Sequence, residues 1–375
     1  MKRIIILGST GSIGHSAIKA ANLMQDVEIA GLHAHTDKDQ LRKIAEELAV
    51  DNLCLSGAPG QSGFRYSGTQ GITDFISETD ADMVVNGISG AAGLIPSWES
   101  IRSGKDLALA NKETMVLAGD LILEEAEKNG VSVIPVDSEH SAVSQLYRRF
   151  SGSELDSLIL TASGGALRDV PVEKLEQVTP EDALKHPTWK MGKKITIDSA
   201  SMANKGLEVI EACRFFQVPP GKVQVVIHPQ SKIHSMIRTA DGVLYAQMSD
   251  PDMSVALQNA YTYPEIRGPL TASFDFSGSP LTFHEVDFDR YPMLKLAYSA
   301  AERDCSPIIY NGANEIGVAA FLLGKIKFTQ IYDITCRSLE MISSRKITCI
   351  TDVLELDSES RRTADKVIQT MEFAV

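Results

Sequence analysis

In the first third of the chain, short apolar runs alternate with stretches of helical spacing. The runs are residues 3–7, 27–32, 52–55, 83–86, 107–110 and 131–136; the helical stretches are 13–24, 39–48, 69–77, 94–103 and 116–129. A short apolar run bounded by turn residues predicts a buried strand, and apolar positions three and four apart predict an amphipathic helix. Their alternation predicts an α/β domain with a doubly wound parallel sheet. Further on, residues 155–162, 223–227 and 243–248 read as strands. Two short helices follow Gly165, and residues 185–194 mix Pro, Gly, Trp and Met as a lid does. After a short apolar run at 195–197, a helical pattern starts near Met202, with Leu207, Ile210 and Ala212 on its buried side. Residues 262–294 lack a period, are rich in Pro, Gly and Asp, and read as a linker. From residue 294 onward the pattern is helical. The expected division is an N-terminal Rossmann-like domain over 1–136, a central α/β domain over 137–261 with its lid, the linker, and a helical bundle over 295–375.

A chain of 375 residues with 43% hydrophobic content can build two or three cores. It has no apolar run long enough for a membrane span, and the basic start with its brief apolar run reads as a first strand, not a leader. The net charge of −13 argues against non-specific nucleic-acid binding, so an anionic substrate needs a local site. Cys54, Cys213, Cys305, Cys336 and Cys349 are widely spaced without C-x-x-C. That pattern suits a reducing cytoplasm and argues against a cysteine-held metal.

The candidate chemistry sits at strand ends. GSTGSIG at 8–14 follows the first strand and opens the first helix, as in a dinucleotide-binding βαβ unit, although its spacing is G-x-x-G-x-x-G. An NAD site usually places an acid at the tip of the second strand; here stand His33, Ala34, His35, Thr36 and Asp37, with Lys38 beyond. His35, Thr36 and Lys38 suit a 2′-phosphate, which favours NADP, and Asp37 pulls the other way. Asn111, Lys112 and Glu113 end another strand, where open α/β sheets hold ligands. Asp137 and Glu139, two apart, read as a helix cap or as oxygen ligands for Mg²⁺ or Mn²⁺. Glu208 as a third carboxylate tips this toward a metal. His140 reads as a partner of that cluster or a helix-face residue. Ser163-Gly164-Gly165 allows close backbone approach to a phosphate. The densest stretch is 186–212, where His186, Trp189 and Gly192 precede Ser199 and Ser201. Asn204, Lys205 and Glu208 then share a helix face, and a helix start with hydroxyls ahead of it is an anion site. His228 reads as structural.

Taken together, GSTGSIG at 8–14, ANKE at 110–113, DSEH at 137–140, SGG at 163–165, HPTWKMG at 186–192, DSASMANKGLEVIEA at 198–212, HPQS at 228–231 and NGANE at 311–315 resemble the 1-deoxy-D-xylulose 5-phosphate reductoisomerase family along essentially the whole chain. The resemblance implies a homodimer, with dimerisation through the central domain, and conversion of 1-deoxy-D-xylulose 5-phosphate to 2-C-methyl-D-erythritol 4-phosphate. It implies that Asp137, Glu139 and Glu208 bind the metal, and that Ser163, Ser199, Asn204 and Lys205 hold the phosphate. Ser138, Lys112 and His186 would contact the sugar and Trp189 would cover it. Thr10, Gly11, Ser12, Ile13, Asn111, Glu113 and Gly192 would line the NADPH site. One departure is visible: similar enzymes often carry Gly-Lys/Arg-Asn where this chain has His35, Thr36 and Asp37. Rival readings are another metal-assisted NADP-dependent dehydrogenase, acting on a hydroxyacid, which needs no phosphate pocket, or on a sugar phosphate, and a non-catalytic NADP-sensing regulator, which needs no carboxylate triad.

Overall fold

A computed structural model describes residues 1–57, 60, 63–150, 152–189 and 191–372; Lys190 of the expected lid lies outside them. The chain forms two compact units. Unit 1 comprises residues 1–114, 122–144 and 252–275, and unit 2 comprises 115–121, 145–251 and 276–375.

Unit 1 is a seven-stranded sheet, β1 (Lys2–Leu7), β2 (Val27–Ala34), β3 (Leu53–Leu55), β4 (Tyr66–Ser67), β5 (Met83–Asn86), β6 (Asp106–Leu109) and β7 (Val133–Pro135), in the order β4-β3-β2-β1-β5-β6-β7. Every pairing is parallel. Helices α1 (Ser12–Asn22), α2 (Lys38–Leu48), α3 (Gly68–Glu78), α4 (Leu94–Arg102), α5 (Lys112–Asn129) and α6 (Ser138–Tyr147) follow successive strands, the last two running on into residues of unit 2. Ile4, Ile5, Ile6 and Leu7 of β1 are wholly buried, as expected of a central strand covered on both faces. α10 (Met253–Thr262), which the sequence pattern did not announce, also belongs here. Asp252 caps it, accepting from Ser254 N at 2.8 Å. Leu257, Ala260 and Tyr261 join the core under Ala17, Ala20 and Ala21 of α1, and Tyr261 Oη donates to Ala17 O at 3.1 Å.

Unit 2 holds a four-stranded sheet ordered β11-β10-β8-β9, from β8 (Leu155–Ala162), β9 (Val223–Ile227), β10 (Ile233–Thr239) and β11 (Leu244–Met248). Only β8 and β9 run parallel. β10 shows no alternation because it is buried on both faces, so it was legible only as a connection. Beside the sheet lie α7 (Pro180–Ala183), α8 (Lys193–Ser201), α9 (Ala203–Phe216), α11 (Pro292–Ala301), α12 (Ser306–Leu322), α13 (Gln330–Met341) and α14 (Ile350–Glu372). Leu207 and Ile210 of α9 meet Tyr310, Phe321, Ile334 and Val367 in one core. Val353, Leu356, Ser360, Ala364 and Val367 form the buried stripe of α14 at helical spacing.

The structure corrects one local expectation. Residues 195–197, expected as a short apolar run ahead of the helix that starts near Met202, lie inside a helix of their own, α8. Ile195, Thr196 and Ile197 are poor helix formers, yet burial of Thr196, Ile197 and Ala200 overrides propensity, and Thr196 Oγ1 donates to Gly192 O at 2.9 Å. Ser199 and Ser201 therefore belong to a helix of their own. Met202, left-handed at φ +60°, separates α8 from α9.

Candidate active site

Each unit carries its own cluster. In unit 1 the strand order runs outward from β1 on both sides, which places the ligand crevice at the carboxyl ends of the central strands. All the expected residues of this unit lie just past such ends. Gly11 opens α1 and donates its N–H to Gly8 O at 2.9 Å; Ser12 and Ile13 form the first turn, where helix N–H groups lack intrahelical acceptors. Thr10 is half-buried just ahead of it. Gly14 is required by packing, since a Cβ there would overlap Gly8 O and the Ser9 backbone.

Past β2, Asp37 is the N-cap of α2, its carboxylate accepting from Gln40 N at 3.1 Å. That gives one oxygen of this acid a capping role, and His35 and Thr36 are exposed at the strand tip. His35 Nδ1 lies 3.0 Å from Ser56 Oγ, and buried His33 lies 2.9 Å from the same hydroxyl through Nε2. Neither Ser56 nor a role for His33 was marked by any motif.

Past β6, Asn111 is a clamp. Its Oδ1 accepts from Thr114 N at 2.9 Å, and its Nδ2 donates to Ile88 O, Gly90 O and Glu113 Oε2 at 2.7, 2.9 and 3.0 Å. Lys112 follows, buried, with its Nζ 2.5 Å from Asp137 Oδ2 past β7. Burial pushes the Asp137 carboxyl up, but Lys112 and His140 beside it outweigh burial and hold it well below the usual carboxylate range. Ser138 Oγ donates to Glu139. The unit thus presents two adjacent carboxylates and one buried ammonium.

In unit 2, β8 ends in the Ser163-Gly164-Gly165 turn. Gly165 has φ +71°, and a Cβ on it would overlap Ser199 O, so the turn lies directly on α8. Ser163 Oγ accepts from Gly165 N at 3.2 Å and from His186 Nε2 at 3.1 Å. The tautomer follows from the other ring nitrogen: His186 Nδ1 accepts from Thr188 N and Trp189 N at 3.1 and 2.9 Å, so its proton sits on Nε2. The Trp189 ring lies 6.4 Å from the His234 ring. Gly192 is exposed and caps α8. On α9, Glu208 is 1% exposed; it accepts from Asn204 Nδ2 at 2.6 Å and is ion-paired with buried Lys205. Buried Asn204 Oδ1 has no hydrogen-bond partner among the described residues. Below Ser199, wholly buried Asp198 pairs with Lys194 at 2.9 Å and accepts from Asn314 Nδ2 at 2.8 Å, which gives NGANE a structural role. His228 is structural too: Nδ1 donates to Thr282 O at 2.9 Å, Nε2 accepts from Lys232 N at 3.1 Å, and the ring stacks on Phe283.

Burial lowers the pKa of His186 below the ordinary histidine value. A depressed histidine pKa stabilises the fold above the unfolded value near 6.5, and that contribution is lost as pH falls. Protonating Nδ1 also removes the acceptor for Thr188 and Trp189. Acidification from pH 7 to pH 5 is therefore expected to change Trp189 fluorescence, measured in Trp98→Phe protein, and His186→Gln is expected to abolish that transition.

A glycine turn opening the first helix of a parallel sheet, with a lysine–carboxylate pair at later strand ends, is the architecture of a dinucleotide-dependent oxidoreductase. Residues 4–119 match the family description 1-deoxy-D-xylulose 5-phosphate reductoisomerase, and 133–216 and 248–363 match descriptions of its C-terminal domains. The reductoisomerase of Treponema denticola is 42% identical over 97% of this chain and 96% of its own length. That of Geotalea daltonii is 44% identical over 99% of this chain and 100% of its own. A crystal structure of the reductoisomerase in complex with NADPH, fosmidomycin and magnesium superposes with a TM-score of 0.90 at 33% identity, covering 99% of each chain. The Zymomonas mobilis enzyme in complex with NADPH gives 0.87 at 34% identity, over 98% of this chain and 99% of that one. The chain belongs to the 1-deoxy-D-xylulose 5-phosphate reductoisomerase family.

Proposed function

We infer that the chain isomerises and reduces 1-deoxy-D-xylulose 5-phosphate to 2-C-methyl-D-erythritol 4-phosphate, using NADPH and Mg²⁺ or Mn²⁺. The observation that carries the residue assignments is the α9 cluster, where a buried lysine and an amide flank the carboxylate Glu208. Such a cluster suits a substrate phosphate beside a cation. The all-oxygen donor set of Asp137, Glu139 and Glu208 fits a hard divalent ion, and these three would hold it. When bound there, the metal supplies Lewis acidity to the carbonyl and hydroxyl oxygens of an α-hydroxyketone. NADPH supplies the hydride that reduces the branched aldehyde left by retro-aldol cleavage and aldol re-formation. The rest falls to side chains. Lys112 places its ammonium where enolate charge develops. Ser163, Ser199, Asn204 and Lys205 take the phosphate, which does not itself react, and this binding energy closes the lid at 185–194. Ser138 and His186, the latter through its Nε2 proton, orient the sugar, and Trp189 shields it from water. Thr10, Gly11, Ser12, Ile13, Asn111, Glu113 and Gly192 line the cofactor, with His35 and Thr36 at its 2′-phosphate.

The proposal includes a homodimer formed through the central domain, residues 137–261. Val243, Leu244 and Tyr245, at and beside the edge strand β11 of that domain, are exposed. A cytoplasmic location is supported by five widely spaced cysteines without a C-x-x-C pair. Among the described residues no helix is long and apolar enough to cross a membrane. The division into cofactor domain, catalytic domain, linker and helical bundle stands as a functional proposal beside the two units.

The test is NADPH oxidation followed by absorbance with 1-deoxy-D-xylulose 5-phosphate and Mn²⁺, run in parallel with EDTA, NADH and the dephosphorylated sugar. Oxidation that needs both metal and phosphate is expected. NADPH binding without turnover at any metal concentration would favour the sensor reading. In the same assay Gly14→Ala is expected to weaken NADPH binding at least about tenfold, because separating Gly14 from Gly8 displaces the first-turn N–H groups of α1. Unchanged binding would place the pyrophosphate elsewhere.

A further inference from the structure

The tip of β2 carries a hydrogen-bond chain whose proton positions follow from its first member. Gly8 N donates to His33 Nδ1 at 3.1 Å. A backbone N–H can only donate, so Nδ1 carries no proton. Burial, reinforced by nearby His35, lowers the His33 pKa to about 3, so the ring is neutral with its proton on Nε2. That nitrogen lies 2.9 Å from Ser56 Oγ, which therefore accepts from His33 and keeps its own hydrogen to give. The ring nitrogen within reach is His35 Nδ1, at 3.0 Å. A hydroxyl donating there leaves the His35 proton on Nε2, in an exposed residue just past the strand that ends beside the glycine turn. The backbone of His35 is fixed as well, since Gly57 N donates to His35 O at 2.7 Å. The acid nearest in sequence, Asp37, is turned to Gln40 N. The basic groups on the adjoining α2 are Lys38, Arg42 and Lys43; Arg42 stacks over the Phe64 ring at 5.1 Å, and Lys38 lies between Asp37 and Asp39 in sequence.

We propose that His33 and Ser56 are positioning residues that fix the proton of His35 on Nε2, making His35 the donor that selects the cofactor's 2′-phosphate in place of a lysine or arginine. This rests on the NADPH reading above. It also ties the two phosphate sites together, because the chain starts at Gly8 in the pyrophosphate turn and ends at the 2′-phosphate donor.

Equilibrium binding of NADPH and NADH, read from the fluorescence of the reduced nicotinamide, tests it in four proteins: unsubstituted, Ser56→Ala, His35→Gln and the double variant. Glutamine keeps an N–H donor near the position of Nε2 and has no tautomer to choose. Ser56→Ala is expected to weaken NADPH about fivefold and NADH by less than about twofold. In the His35→Gln background the same change is expected to do nothing, the signature of coupled residues. Nitrogen-15 spectra of the unligated protein should show both rings protonated on Nε2, and Ser56→Ala should turn His35 into a tautomer mixture. Equal loss for both cofactors, additive effects of the two substitutions, or a His35 tautomer indifferent to Ser56 would each overturn the relay. If the unsubstituted protein binds neither dinucleotide, the cofactor reading itself fails, and that result is distinct from the other three.

Discussion

Glu208→Gln is expected to lower kcat about a thousandfold, the rate equivalent of about 4 kcal/mol, and to raise sharply the Mg²⁺ concentration needed for half-maximal rate. The substitution is nearly isosteric and leaves an amide oxygen for Asn204 to donate to. What it removes is the charge, both from the proposed ligand set and from beside the Lys205 ammonium. Stranding a buried cation costs up to about 3–5 kcal/mol of stability, so circular dichroism at the assay temperature must accompany the kinetics. With the fold intact, the loss belongs to metal binding, and titration calorimetry with Mg²⁺ should show weakened uptake. Near-normal turnover at limiting metal would end the assignment of Glu208 as a ligand.

Lys205→Met should act on the other half of the same cluster. The expected result is a fall in kcat/KM for the phosphorylated sugar of about two to three orders of magnitude, with much less change for 1-deoxy-D-xylulose itself. A charge-assisted contact to phosphate in a buried site is worth about 1.5–3 kcal/mol, and a carboxylate left without its cation adds to the cost. The informative quantity is the ratio of the two substrates. If both fall equally, the lysine serves only to neutralise Glu208, and the phosphate site must be sought around Ser163 and Ser199. Because Lys205 and Glu208 are ion-paired, the double variant should fall short of the product of the single effects.

The parallel sheet was legible because strands covered on both faces read as unbroken apolar runs, and residues 3–7 and 83–86 could hardly be anything else. The same logic hid β10, whose His234, Ser235 and Arg238 break the run although the strand is central. α8 was not legible because β-branched residues disfavour helix, and only tertiary burial of Thr196 and Ile197 decides for it. α10 was passed over because its apolar face had no visible partner until α1 supplied one. The polar clusters fared better. Lys112 with Asp137, Ser163 with His186, and Asn204 and Lys205 with Glu208 each come together within one unit, since adjacent strand ends or helical spacing bring such residues together. Hydrogen-bond direction stayed hidden. Nothing in the letters says that Asp37 faces its own helix, or that His33 is an acceptor for Gly8.

The bond from Tyr261 to Ala17 spans 244 residues. On a ribosome, the last strand of the seven-stranded sheet has been made by Pro135, yet the helix that covers α1 ends only at Thr262. At about 5–20 residues per second the nascent chain spends on the order of ten seconds with the alanine face of α1 uncovered. A synonymous codon that slows elongation between these positions would prolong that interval without altering the finished enzyme.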